Sequence, residues 1–203
     1  MKDCSTENNL YADIEFCRGK ATKPGVKNHV LAIRKADIVT FPAVQKDSAT
    51  DIKGYAVIQD SFVLAESAGF FRTQLVPKKN SITGTSTGEW PNKAFDNVAK
   101  VTMAGTDEEV SGAASALNND DCVFLVPTHD GPYRLIGDPN EVVDVAVNQE
   151  TGEKSGDNNQ TELTLTCSDQ DTLAPFYYGD IKLLDGTILN GETGAVKTVN
   201  QGG

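Results

Sequence analysis

Residues 94–137 constrain the fold more than any other stretch, because they read without a break as a strand, a capped helix, a second strand and a tight hairpin. Ala94 to Met103 spaces Phe95, Ala99, Val101 and Met103 two or four residues apart, as on one face of a strand. Gly105 closes that segment. Thr106-Asp107-Glu108-Glu109 then predicts a helix over about 106–118. Thr106 caps it, Glu109 bonds back to the cap, and the acids favour the positive helix end. Val110, Ala113, Ala114 and Leu117 follow at helical spacing, and Asn118-Asn119-Asp120-Asp121 ends the run. Cys122-Val123-Phe124-Leu125-Val126 has the length of a buried strand, Asp130-Gly131 makes a turn, and Tyr133 to Ile136 returns. A single helix in a β-rich chain, with no catalytic residue on its ordered parts, points to assembly rather than chemistry.

The flanks extend the β pattern. Tyr11 to Cys17, His29 to Arg34 and Asp37 to Phe41 read as strands, with Arg18 to Asn28 a Gly/Pro/Lys loop. Tyr55 to Ile58 and Phe62 to Glu66 resume it, and Gly69 to Val76 is an aromatic strand. Lys78 to Asn92 is polar and rich in Gly, Ser and Thr, with the lone Trp90 beside Pro91, and predicts a long loop over 78–94 that includes some extended hairpin. Later come a strand at Val142 to Val147, a polar loop at Asn148 to Gln160, and an alternating strand at Thr161 to Cys167. That last strand sets Leu163, Leu165 and Cys167 on one face and three threonines on the other. Thr172 to Gly179 closes the core. With 203 residues, the chain divides into one β-rich domain over 1–184 and a C-terminal hairpin and tail over 185–203, the hairpin turning at Asp185-Gly186.

Charge is unevenly placed within a net of −11. Residues 1–100 carry 14 Lys or Arg against 11 Asp or Glu, whereas residues 101–203 carry 4 against 18. A plain reading is an acidic surface that keeps the protein in solution. A sharper one is a polar subunit suited to head-to-tail stacking. Phosphate binding needs clustered cations, and only Lys78-Lys79 and the sparse Lys20, Lys23 and Lys27 come close. No window reaches the roughly 18 apolar residues of a membrane helix. The start of the chain shows no apolar signal region, so synthesis and retention in the cytoplasm are expected.

Candidate chemistry is sparse. Cys4, Cys17, Cys122 and Cys167 lack the spacing of a zinc or redox motif, and the last three are expected as small buried apolar residues. Cys122, His129 and Asp130 could be drawn as a nucleophile set, but His129 and Asp130 share a tight turn. Gly84 to Gly88 lacks the lysine of a phosphate loop. Asp138, Glu141 and Asp144, or Asp169 and Asp171, match no calcium loop. No catalytic residue, metal or cofactor is assigned, and the chain is not expected to be an enzyme.

The order of elements nevertheless resembles tail tube and tail-ring proteins of tailed bacteriophages, the Bacteroidetes type in particular. The resemblance rests on a Cys-containing N-terminal strand with Pro24-Gly25 and Ile38 to Pro42, and on the aromatic strand and polar loop from Phe70 to Trp90. It also rests on Asp130-Gly131-Pro132-Tyr133-Arg134-Leu135-Ile136-Gly137 after the central helix, and on the threonine-rich strand leading to Ala174-Pro175-Phe176. It spans about residues 10–184. The resemblance implies a mainly β fold with one flanking α-helix, a β-sandwich or barrel of the phage tail tube type. It implies a virion protein made in the host cytoplasm, six copies of which form a ring, the rings stacking around a DNA conduit and meeting other tail or neck proteins. DNA would pass an acidic lumen without specific binding. Lys78, Lys79, Trp90 and Pro91 are the candidate inter-subunit contacts, and deleting the 78–92 stretch is expected to leave folded subunits that no longer polymerise. The alternatives are a capsid decoration or head-fibre protein, and a glycan-binding β-sandwich using Trp90, Tyr133, Tyr177 and Tyr178.

Overall fold

The run from Cys122 to Pro127 is buried at every residue, which an alternating half-exposed strand cannot be. It therefore lies inside a sheet covered on both faces, and the computed structural model, which describes residues 23–46, 49 and 52–197, shows how. In chain order the elements are β1 (His29–Arg34), β2 (Ile38–Thr40), β3 (Val57–Ile58), β4 (Val63–Leu64), β5 (Phe71–Gln74), β6 (Ser81–Thr87) and β7 (Ala94–Ala104). Then come α1 (Glu108–Leu117), β8 (Cys122–Pro127), β9 (Tyr133–Ile136), β10 (Asp144–Glu150), β11 (Gln160–Gln170), β12 (Phe176–Tyr177), β13 (Asp180–Lys182) and β14 (Ile188–Asn190). The fold is mainly β with one flanking helix.

A six-stranded sheet in the order β3-β12-β9-β8-β1-β5 forms the middle layer. Val30, Ala32, Phe124 and Ile136 point from one face into a core shared with a four-stranded antiparallel sheet, β10-β11-β7-β6. That sheet supplies Ala99, Val101, Met103, Leu163, Leu165 and Val145, and α1 closes one end of the core with Ala114 and Leu117. From the other face Leu31, Ile33, Val123 and Leu125 enter a second core with Phe62, Phe70, Ile181, Leu183 and Leu189. The covering elements there are the small pairs β2–β4 and β13–β14. The Tyr177 hydroxyl ties this layer together, accepting from the Phe62 N–H (3.1 Å) and donating to the Asp180 carbonyl (3.0 Å). The chain crosses itself closely here: a Cβ on Gly191 would stand 2.4 Å from the Gly179 carbonyl oxygen. The Tyr133 N–H donates to the Gly191 carbonyl.

Several sequence readings are corrected. The stretch read as a loop over 78–94 contains β6, seven residues paired to β7 from Ser81↔Lys100 to Thr87↔Ala94. Its threonines suit a pleated strand, but with Ile82 its only apolar residue on the inner face it lacks the apolar alternation that marks one. Leu189, from the C-terminal hairpin, joins Ile181 and Leu183 in the second core. Asp107, rather than Thr106, caps α1, its carboxylate accepting from the Val110 N–H at 2.9 Å. Thr161 belongs to the inner face of β11, fully buried, with its hydroxyl donating to the Gly105 carbonyl; Thr164 and Thr166 face outward. The strand predicted at Tyr11–Cys17, together with Cys4 and Cys17, lies outside the described residues.

Candidate assembly surface

The four-stranded sheet has one buried face and one open one. Period-two alternation sends Ala99, Val101, Leu163 and Leu165 inward, and Ser81, Thr83, Thr85, Val98, Thr164 and Thr166 outward. The same register places Asp96, Asp144, Glu150 and Glu162 on the outer face with Lys100. That face is hydroxyl-rich and net negative.

Among the described residues both lateral edges of this sheet are seven-residue strands, β6 on one side and β10 on the other. By contrast, the edges of the six-stranded sheet are two-residue β3 and four-residue β5. Short edge strands are one way proteins block edge-to-edge pairing, and β6 and β10 are not shortened. Val147 on β10 is 36% exposed although its side lies on the inner face.

The four predicted contact residues fall at opposite ends of β6. Lys78 and Lys79 occupy the turn before the strand, where Lys78 is exposed and takes φ +64°. Asn80 fixes that turn, donating from its amide to the Val76 carbonyl and accepting from the Thr102 N–H. Lys79 is engaged within the subunit, its Nζ donating to Asn158 Oδ1 (2.8 Å) and Gln160 Oε1 (2.5 Å). Trp90 and Pro91, joined by a cis peptide bond, sit in the turn that links β6 to β7. The seven residues of β6 separate the two groups by roughly 24 Å. Trp90 is 84% exposed, an isolated large apolar surface on a hairpin tip.

The remaining candidates are dispersed. Cys122 opens β8 while His129 lies beyond its other end, roughly 17 Å or more away along the strand. Burial, aided by Asp120 and Asp121, pushes the Cys122 thiol up to about 11. Cys122 and Cys167 are both buried and unbridged. Of the aromatic set, Tyr133 and Tyr177 are buried and Tyr178 is half-buried, leaving Trp90 as the exposed ring. Asp138 accepts from the Asn140 and Glu141 N–H groups in its own turn. Among the described residues no group of three or more His, Cys, Asp or Glu side chains converges to hold a metal ion.

What the sequence reading lacked was the pairing partner of β6. The signal available was the run of Ser and Thr at every second position from Ser81 to Thr87. Compared with family models, curated proteins and solved structures, the chain finds no match among any of the three.

Proposed function

We propose that this chain is a virion structural protein of a tailed bacteriophage, a tail tube or head–tail ring subunit whose copies close into stacked rings around a DNA conduit. The observation that carries this reading is the four-stranded sheet whose two long edges have no partner strand among the described residues. Each neighbouring pair in it is antiparallel, so three reversals leave β6 and β10 running in opposite directions. Rotation about an axis preserves strand direction, so β10 of the next copy meets β6 antiparallel and the alternation continues around the ring. Closure removes the edges that would otherwise invite disordered pairing.

The charge of the open face fits the same reading. Turned inward, Asp96, Asp144, Glu150 and Glu162 would line a lumen that repels phosphate and lets DNA slide. At the hairpin tip, Trp90 supplies an apolar anchor for contact between rings. Deletion of residues 78–92 is not the clean test, because it removes β6 and leaves one side of β7 unpaired.

The test is light scattering across a concentration series, followed by negative-stain imaging. Rings or tubes with a central hole are expected, and Trp90→Ala is expected to leave subunits folded while shortening or abolishing tubes. A 21.7 kDa monomer at every concentration, without particles, would overturn the proposal.

A further inference from the structure

A cleft of about 500 Å³ opens beside the first half of β6, where Ser81 to Gly84 form one wall. Val26, Leu173 and Ala174 contribute apolar surface, and Arg134 and Phe176 also line it. The Arg134 guanidinium carbon stands 4.1 Å from the centroid of the Phe176 ring. Its Nε is buried and has no hydrogen-bond partner, and no carboxylate pairs with this side chain among the described residues. Burial lowers the Arg134 pKa, the sign of a cation taken partly out of water without compensation.

Other polar groups around the cleft are committed elsewhere. The Asp130 carboxylate accepts from the Lys23 N–H at 3.2 Å to each oxygen. Asn97 donates to the Thr172 carbonyl and accepts from the Ala174 N–H. The Thr128 hydroxyl donates to the Pro132 carbonyl. What remains is the Arg134 side chain with its partnerless Nε, an apolar wall and a strand edge with no partner strand among the described residues. A half-buried fork of this kind is matched by a carboxylate carried on an extended chain.

The ring geometry supplies one. With β10 of the next copy antiparallel to β6, the first half of β6 meets the end of that β10 and the turn after it. Three carboxylates lie there. Glu150 projects to the outer face, and Asp157 accepts from the Glu153 and Lys154 N–H groups of its own turn. Glu153 is exposed and makes no ion pair among the described residues. We propose that the Arg134–Phe176 cleft is a carboxylate socket that receives Glu153 of the adjacent copy. This rests on the ring reading and names a contact within it.

Sedimentation of the full chain at graded concentrations tests the pairing. Arg134→Ala and Glu153→Ala are each expected to weaken self-association about tenfold, with the double variant no weaker than either single one. Joining Arg134→Glu to Glu153→Arg should restore association to within about threefold of wild type. Should Arg134 variants fail to fold, the exposed Glu153→Ala and Glu153→Gln decide alone. Wild-type association that these changes leave untouched, or that the two singles weaken additively, overturns the socket while the ring stands. A wild-type chain that never associates overturns both.

Discussion

The two large sheets of this molecule solve the same problem in opposite ways. The six-stranded sheet is covered on both faces, and its edge strands are short. The four-stranded sheet is covered on one face only, and its edges are as long as seven residues. Their sequences differ accordingly: β8 is an unbroken apolar run, whereas β6 carries Ser and Thr at alternate positions. The first sheet completes itself within one chain. The second leaves the backbone groups of its edges without a partner strand among the described residues, which is the feature the proposed ring would use.

That contrast can be broken or sharpened by measurement. Phe124→Ala, at the centre of β8, is expected to cost about 3–5 kcal/mol through the cavity it leaves, read as a drop in the urea midpoint. A loss below about 1 kcal/mol would mean the middle layer is not the stable one. Asn97→Ala removes the buried amide that ties β7 to the Thr172–Ala174 turn, at about 1–3 kcal/mol. It tests whether the inner side of the open sheet is held as firmly as its outer side is loose.

A pH titration addresses β1. His29, bonded to the Tyr133 hydroxyl at 3.0 Å, has its pKa lowered from 6.5 to about 4, chiefly by burial and then by Arg72 and Lys27. Because the folded value is the lower one, the unfolded chain binds the proton first as pH falls. Stability is fully present above about 6.5 and is lost progressively toward about 4. Allowing for partial solvent access, the loss is on the order of 1–2 kcal/mol. His29→Gln should flatten the stability profile between pH 6.5 and 5, where carboxylates contribute least; an unchanged slope would remove His29 from the account. Last and smallest, Thr83→Ala on the outer face should shift monomer stability by no more than about 0.5 kcal/mol in a denaturant melt.

The sequence was most legible where burial enforces periodicity. β1 spans the predicted His29 to Arg34, and β8, β9 and α1 fall within a residue or two of their expected bounds. Apolar residues at those positions have one place to go, so pattern and structure coincide. Legibility failed where partners matter more than side chains. β6 is held by its ladder with β7, and β10 runs on to Glu150 through polar Asn148 and Gln149 because β11 pairs with it throughout. The Asp107 cap is a one-residue matter that local pattern does not fix, whereas the inward Thr161 was legible, two residues before Leu163 on the same face of the strand. Of the candidate surface, Trp90 was legible as the lone tryptophan in a polar stretch. The Arg134 cleft was not, since it joins β6, β9 and β12 across more than ninety residues of sequence.

The crossing of Gly191 over Gly179 also sets a schedule. During synthesis the middle layer can pair as soon as β9 has emerged, except for β12 and the β3 that pairs with it. Its second face then waits, with Leu31, Ile33 and Leu125 uncovered, for Ile181, Leu183 and Leu189. A late stretch thus seals a much earlier one, and the second core stays unfinished until about residue 191 is free of the ribosome. Any surface that depends on the finished second core is therefore complete only once this stretch has been made.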